Sequence, residues 1–254
     1  MFITDGQWEE LKSILEPQSK QVMGRPRAQA RDVFEAILFM LHTGMQWKYL
    51  PAGFPPKSTV HDYLKKWSQE DRFRELFARV IRQRVEEGSI DLDQCFVDAT
   101  FSPAKSGGNA VGLTRKGKGS KLQLVVDAQG VPLAISVAAA NQGETNMVQD
   151  TLFSLDSEIS PKRLIGDKGY DSDPLDEALA ELGIEMIAPN RCNRSVPKQT
   201  QDGRSLRRYK YRWKVERTIA WLGYHRRLLV RWEKHLSLFV GFAWLGCLMI
   251  ALKA

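Results

Sequence analysis

The sequence has few cysteines, prolines and glycines and no leader-like start, and each shortage excludes a class of protein. Its three cysteines, Cys95, Cys192 and Cys247, are odd in number and far apart. That excludes a disulfide framework and a Cys-x-x-Cys zinc site. The 19 glycines and 11 prolines in 254 residues are too few for a collagen-like or low-complexity chain. The first residues hold an early acid and no apolar stretch, which predicts a cytoplasmic protein without a secretory signal.

Hydrophobic residues make up 43% of the chain, enough for a buried core, and the length predicts one or two domains. Apolar residues recur at helical spacing through residues 1–90, where Ser58 is expected to cap a helix from Thr59 to about Trp67. After that, strand-like and helix-like segments alternate. We therefore expect a small all-helical domain over residues 1–90 and an α/β domain over residues 91–254.

The second part is predicted to contain a short strand followed by a loop, a long basic helix and an apolar helix. A short apolar strand ends near Thr100, and residues 102–119, rich in Gly, Ser and Lys, are predicted to form a loop. Leu206–Leu222 is predicted to be one long basic helix. Leu236–Leu252 is almost wholly apolar, so a membrane span is one interpretation, but its small residues favour a buried helix, and we expect no membrane contact.

Positive charge is concentrated between Arg191 and Lys234. This segment carries 14 basic and three acidic residues, a net charge of +11, whereas the whole chain carries +7. Concentrated positive charge indicates a polyanionic partner, with nucleic acid the commonest. A solvated basic helix is the alternative, but the aromatic residues between the charges favour nucleic acid, because bases stack on flat side chains. Those aromatic residues are Tyr209, Tyr211, Trp213 and Trp221.

Two carboxylates follow apolar strand segments. Asp98 follows Phe96-Val97, and Asp167 follows Leu164-Ile165-Gly166. If the two strands are parallel neighbours, these like charges lie close together and favour a cation between them. Oxygen ligands without nearby His or Cys indicate Mg²⁺ or Mn²⁺ rather than zinc. The alternative is that each Asp only caps the turn after its strand.

A third acid, Glu216, lies among the basic residues. Tyr209, Arg212 and Glu216 are spaced by three and four, which predicts that they share one helical face. A simple Arg212–Glu216 salt bridge is one interpretation. The other is that Glu216 completes a metal site beside a DNA phosphate.

In order and context, the motifs of this chain resemble the bacterial insertion-sequence transposases with an Asp-Asp-Glu site, of the insertion-sequence-five family. The resemblance covers nearly the whole chain. It rests on Gly24-Arg25-Pro26-Arg27, Thr43-Gly44-x2-Trp47-x2-Leu50-Pro51, Phe96-Val97-Asp98-Ala99-Thr100, Gly166-Asp167-Lys168-Gly169-Tyr170-Asp171, Tyr209-x2-Arg212-x3-Glu216 and Arg226-Arg227-Leu228.

The resemblance implies an RNase H-like mixed-sheet core in which Asp98, Asp167 and Glu216 are the catalytic metal ligands. Two Mg²⁺ or Mn²⁺ ions would support cleavage of a phosphodiester and attack of the freed 3′-OH on target DNA. Arg212 and Tyr209 would hold DNA near the cut, and Arg207 and Arg208 would add phosphate contacts. The family pattern has a Lys at the position of Gly223, so either Arg226 or Arg227 replaces its phosphate contact or the contact is absent.

The helical domain is expected to resemble a helix-turn-helix and to read the terminal inverted repeats of the element through His61, Lys65 and Lys66. An ordinary helical bundle is the alternative. Arg25-Pro26-Arg27 suits a narrow minor groove, or is only a loop. We expect a nucleoid-associated homodimer on DNA, because two ends must be joined. The competing functions are a catalytically idle DNA-binding repressor and an RNase H-like nuclease.

Overall fold

The computed structural model describes residues 3–16, 26–157, 159–194 and 206–253, and its first part is helical. Thr4 begins the first helix with a capping box, in which its hydroxyl accepts the Gln7 N–H and the Gln7 side chain accepts the Thr4 N–H. The apolar positions predicted from helical spacing are buried together. The helices are α1 (Asp5–Leu15), α2 (Ala30–Thr43), α3 (Lys57–Gln69) and α4 (Arg72–Glu86).

Two details of this helical region differ from the sequence-based expectation. Pro56 precedes α3 and Ser58 lies within its first turn, without a capping hydrogen bond. The connection between α2 and α3 spans residues 44–56 and contains the 3₁₀ turn Trp47–Tyr49, so it is longer than a helix-turn-helix turn. The pair joined by a tight turn is α3 and α4.

The second part contains one mixed sheet. Its strands are β1 (Cys95–Pro103), β2 (Gly112–Thr114), β3 (Gly117–Val126), β4 (Pro132–Ala139), β5 (Arg163–Ile165) and β6 (Glu185–Ile187). β3 pairs antiparallel with β1, β2 and β4. β1 then pairs parallel with β5, and β5 pairs parallel with β6. The predicted mixed α/β order is therefore confirmed.

The sheet is larger than the sequence indicates. β1 continues to Pro103, where it pairs with Gly119, so Asp98 lies in the middle of the strand and not at its end. The predicted loop over residues 102–119 is wrong, because it contains the end of β1, β2 and the start of β3. Glycine and lysine weaken a strand signal, and pairing with neighbouring strands overrides that weak preference here.

The predicted long helix Leu206–Leu222 is also wrong in one respect. Arg207–Tyr211 forms a 3₁₀ turn, and the α-helix begins only after Arg212. The remaining helices are α5 (Glu144–Phe153), α6 (Asp173–Glu181), α7 (Trp213–Gly223), α8 (Arg226–Leu229) and α9 (Leu236–Ala251), with a further 3₁₀ turn at Lys168–Tyr170.

Helix α9 is buried, as predicted, and it links the two parts of the chain. It packs against α3 and α4 and also against β4 and α7. Its glycines permit close approach, since a Cβ on Gly241 would lie 2.5 Å from the Ser68 hydroxyl and one on Gly246 would lie 2.9 Å from the Leu222 side chain. The buried residues of both parts form one hydrophobic cluster. In the described ranges, no helix has the length and apolarity to cross a membrane.

Candidate functional site

Asp98 is held in the middle of the sheet, opposite Leu124 of β3. Its side chain is 18% exposed. One carboxylate oxygen, Oδ1, accepts the Ala99 N–H at 2.8 Å, and the other, Oδ2, accepts the Arg212 guanidinium at 2.7 Å. The carboxylate therefore does not cap a turn, so the structural alternative considered for Asp98 does not apply.

Asp167 lies beyond the end of β5, the strand parallel to β1. Phe96 pairs with Ile165, so the register carries Asp98 and Asp167 to the same level of the sheet. Asp167 does cap a turn, because its Oδ1 accepts the Gly169 N–H at 2.7 Å. Within the described residues, its Oδ2 has no hydrogen-bond partner. The carboxylate can therefore cap the turn and still offer an oxygen to the site.

The glycines of the Gly166-Asp167-Lys168-Gly169-Tyr170-Asp171 motif permit this turn. A Cβ on Gly169 would lie 2.7 Å from Asp167 Oδ1, and a Cβ on Gly166 would lie 2.6 Å from the Tyr170 ring. Tyr170 is fully buried, and its hydroxyl accepts the Gln123 side-chain amide at 3.1 Å. The motif thus fixes Asp167 through close packing on either side.

Glu216 approaches the site from the first turn of α7, and Arg212 connects it to Asp98. The Arg212 guanidinium donates to Asp98 through one nitrogen and to Glu216 through the other. The Tyr209 ring centroid lies 5.7 Å from the guanidinium carbon. The predicted i,i+4 salt bridge is therefore present, and it is shared with the carboxylate on β1.

The local electrostatics oppose a charge on Asp98. Burial raises the pKa of the Asp98 carboxyl, and the negative charge of Asp167 acts in the same direction. The Ala99 N–H and the Arg212 guanidinium lower that pKa without offsetting the burial. Two carboxylates that repel each other in a desolvated place are typical of a functional site.

The chemistry of the donors fits a hard divalent cation, since Asp98, Asp167 and Glu216 offer only carboxylate oxygens. In the described ranges, no cluster of three or more His, Cys, Asp or Glu side chains has the geometry of a metal site. The cation between Asp98 and Glu216 is Arg212. The structure therefore links Asp98 to Asp167 through the sheet register and to Glu216 through the Arg212 guanidinium.

Sequence reasoning missed a contact that holds the Asp167 turn. The Arg191 guanidinium donates to the Lys168 carbonyl at 3.2 Å and to the Gly169 carbonyl at 2.5 Å. The Arg191 backbone N–H also donates to the buried Asp171 carboxylate at 2.7 Å. The sequence signal available was Asp171, the second acid of the Gly166-Asp167-Lys168-Gly169-Tyr170-Asp171 motif.

The predicted DNA-binding residues of the basic segment differ in exposure. Arg207 is exposed, Arg208 is half-buried, and Arg226 is exposed. Arg227 is 5% exposed and paired with the buried Glu233 at 2.6 Å, so a phosphate contact by Arg227 is not supported. Gly223 has open surroundings, because a Cβ there would meet only Leu229, at 3.5 Å.

On α3, Val60, Leu64 and Trp67 form the buried face, and the predicted recognition residues lie outside it. Lys65 and Lys66 are exposed. His61 is half-buried, with its ring edge-on to Trp47 at 5.3 Å between centroids. Of the predicted minor-groove segment Arg25-Pro26-Arg27, Arg25 lies outside the described residues, and Pro26 and Arg27 are exposed.

Comparison with known proteins identifies similar chains. Residues 91–252 match a family model described as "Transposase DDE domain", and residues 3–77 match "Putative transposase of IS4/5 family". The "Putative transposase for insertion sequence element IS402" of Burkholderia cepacia is 34% identical over 154 residues, which cover 58% of this chain and 68% of that protein. The corresponding IS6501 protein of Brucella ovis is 35% identical over 136 residues, 53% of this chain and 98% of that protein.

Among solved structures, a piggyBac transposase in a synaptic complex with hairpin DNA has a similar fold. The alignment covers 98% of this chain and 72% of that one, with a TM-score of 0.55 and 9% identity. At this identity the likeness is one of fold. The expected architecture, an RNase H-like mixed sheet after a helical region, is confirmed.

Proposed function

Because the chain belongs to the DDE transposases, whose family model matches residues 91–252, we propose that it cuts DNA at the ends of an insertion element and joins those ends to target DNA. One observation carries this proposal. Asp98 on β1 is level with Asp167 beyond β5, and Arg212 joins the Asp98 and Glu216 carboxylates, which supports a shared role for the three acids.

Asp98, Asp167 and Glu216 would hold Mg²⁺ or Mn²⁺, in a pair of ions. Bound divalent ions supply an activated water or 3′-OH and stabilise the leaving oxygen at a phosphodiester. The turn at Lys168–Tyr170 keeps Asp167 in place, and the sheet leaves the Asp98 side chain only 18% exposed. In this proposal the three acids bind the ions, and the turn orients Asp167 toward them.

Arg212 would exchange partners when DNA binds. A guanidinium that bridges two carboxylates can instead donate to two oxygens of one phosphate, because its N–H groups form a fork that suits bidentate binding. Tyr209, beside it, presents a ring for stacking, and Arg207, Arg208 and Arg226 would contact phosphates. His61, Lys65 and Lys66 on α3 would read the terminal inverted repeats, and two copies of the chain would hold two ends together.

The test uses the full chain and duplex DNA that flanks its gene. Asp98→Asn, Asp167→Asn and Glu216→Gln should each abolish nicking in Mg²⁺ while binding to the same duplex in Ca²⁺ remains nearly unchanged. Asp150→Asn removes an exposed carboxylate of α5 and should leave both properties intact.

The competing functions give different results in this test. Binding without cleavage by the unmodified chain would indicate a repressor. Cleavage without joining of the freed 3′-OH to a second duplex would indicate a nuclease. A triad variant that nicks at the unmodified rate would remove that residue from the site.

A further inference from the structure

The chain between Asp98 and Asp127 contains basic residues and no acidic residue. In the described part of the molecule, one of these side chains has a carboxylate partner, with Lys121 Nζ 3.1 Å from Glu144. The other four are exposed and form no ion pair there. Four positive charges are therefore presented to solvent from one short stretch. They belong to Lys105, Arg115, Lys116 and Lys118.

Three of the four charges lie on a formed hairpin, and Lys105 is next to it, since the Ala104 N–H donates to the Lys118 carbonyl at 3.0 Å. β2 and β3 pair from Gly112 with Gly119 to Thr114 with Gly117. The Thr114 hydroxyl accepts the Lys116 N–H and donates to the Gly117 carbonyl, both at 3.1 Å. These bonds close the turn and hold Arg115 and Lys116 at its tip.

The base of the hairpin rests on a buried arginine. Arg231 is 0% exposed, and its guanidinium donates to the Ser120 hydroxyl at 2.7 Å and to the Ala110 carbonyl at 3.2 Å. Its own carbonyl accepts the Lys105 N–H at 3.0 Å. Burying a charged side chain is costly unless it is hydrogen-bonded. Movement of the hairpin base would break these bonds to the buried Arg231 guanidinium, so we expect the base to be rigid.

The register of the sheet gives the distance from the hairpin tip to the carboxylates. Asp98 pairs with Leu124 on β3, and Lys116 precedes Leu124 by eight residues. At about 3.3 Å per strand residue, the tip lies roughly 26 Å from that level. This is less than one turn of B-DNA, about 34 Å.

We propose that the β2–β3 hairpin, through Arg115, Lys116 and Lys118 and together with the adjacent Lys105, binds the phosphate backbone of duplex DNA within one helical turn of the phosphate at the carboxylates. This inference rests on the proposed function. Ammonium and guanidinium groups suit phosphates, and residues 112–118 contain no aromatic side chain on which a base could stack. The surface therefore positions DNA and does not read its sequence.

The test compares two full-length variants that lose the same charge. The hairpin variant is Arg115→Gln/Lys116→Gln/Lys118→Gln. The control, Arg79→Gln/Arg82→Gln/Lys162→Gln, removes three exposed basic residues that contact Ser13, Asp156 and Asp93. Duplex binding is titrated between 50 and 200 mM salt. Each lost phosphate contact should reduce the salt slope by about 0.9, so the hairpin variant should lose about two to three units and bind about 10- to 100-fold more weakly near 0.15 M.

The control should keep the affinity and slope of the unmodified chain. Equal behaviour of the two variants, with duplex binding by the unmodified chain intact, would overturn the inference. Failure of the unmodified chain to bind duplex would instead overturn the proposed function. A changed oligomeric state of the hairpin variant in sedimentation, with unchanged DNA binding, would assign the hairpin to a protein partner and also overturn it.

Hydroxyl-radical footprints give the position of the contact. The hairpin variant should lose protection within one helical turn of the cleavage point and keep protection elsewhere. Protection lost only at more distant positions would contradict the proposed location.

Discussion

Asp98 carries its charge where burial opposes it and where Asp167 repels it. Arg212 relieves part of this cost, and the raised pKa of Asp98 shows that the relief is incomplete. A buried carboxylate with a raised pKa lowers the stability of the protein at neutral pH and favours the binding of an additional cation. At the scale of single residues, the site is therefore arranged for binding at some expense of stability.

Asp98→Asn should raise the melting temperature in EDTA at pH 7. The change keeps the shape and removes the buried charge, and a gain of about 1 kcal/mol corresponds to about 2–4 °C for a chain of this size. Because the folded-state pKa is raised, the folded protein binds more protons than the unfolded chain as the pH falls between the two values. The unmodified chain then regains stability, so the advantage of Asn should shrink toward acid. Thermal unfolding in EDTA at several pH values measures this.

The control is Asp93→Asn. The pKa of Asp93 is lowered by its hydrogen bond with Lys162, so its neutralisation should not raise the melting temperature. Added Mg²⁺ should reduce the advantage of Asp98→Asn, because a ligand that binds the folded state stabilises it. An Asp98→Asn protein that is less stable in EDTA and indifferent to Mg²⁺ would make Asp98 a structural residue.

Among the elements, α8 contains an arginine that forms a buried ion pair and also bonds to the helical region. The Arg227 guanidinium donates to Glu233 and, at 2.7 Å, to the Met45 carbonyl, in the connection between α2 and α3. Its guanidinium carbon also lies 5.7 Å from the Trp47 ring centroid. The loss of one partner would leave the other as an isolated charge in the interior.

Arg227→Met should therefore lower the free energy of unfolding by about 3–5 kcal/mol. The double variant Arg227→Met/Glu233→Leu should recover about 1–3 kcal/mol of that loss, because it removes the stranded carboxylate as well. Urea unfolding of the two single variants and the double variant completes the cycle. Additive losses would show that the two side chains do not act as a pair.

The elements of the candidate site were partly predictable from the sequence. The apolar residues before Asp98 and Asp167 predict buried strands, and the spacing of Arg212 and Glu216 predicts their contact. The parallel pairing of β1 with β5 joins segments that are far apart in the chain, so the sequence of either strand alone does not predict it. The 3₁₀ turn at Arg207–Tyr211 also escaped prediction, because the side chains of this basic segment suit an α-helix equally well.

The largest difference between the prediction and the structure is the burial of two arginines of the basic segment. Arg227 and Arg231 stand in the same basic run as the exposed arginines, and nothing in their spacing marks them as interior residues. Some of their partners come from distant parts of the chain, Met45 for Arg227 and Ser120 for Arg231. Charge counted along a sequence therefore overstates the charge available to a partner.

For the whole molecule, α9 determines how the two predicted domains behave. The boundary at residues 90 and 91 stays a prediction, but α9 packs against both sides of it. Trp244 of α9 lies 5.3 Å from Phe77 of α4 between ring centroids. Elements that share one buried helix lose their stability together.

We expect one unfolding transition for the full chain. Gly241→Val, which forces a side chain against Ser68 and Phe73, should lower the melting temperature by about 5 °C or more and should speed amide exchange in both α3 and β3. Gly223→Ala, with open space at its Cβ, should change the melting temperature by less than about 2 °C. Faster exchange confined to α3 would contradict a shared transition.

Helix α9 is synthesised after the elements that it covers. A ribosome makes the N-terminal region first, at about 5–20 residues per second, so α3, α4 and the sheet all emerge before residue 236. Part of the apolar surface of each element therefore stays exposed to solvent until α9 is synthesised. A translation product that stops before this helix should therefore aggregate or be degraded, even though every acid of the candidate site has already been made.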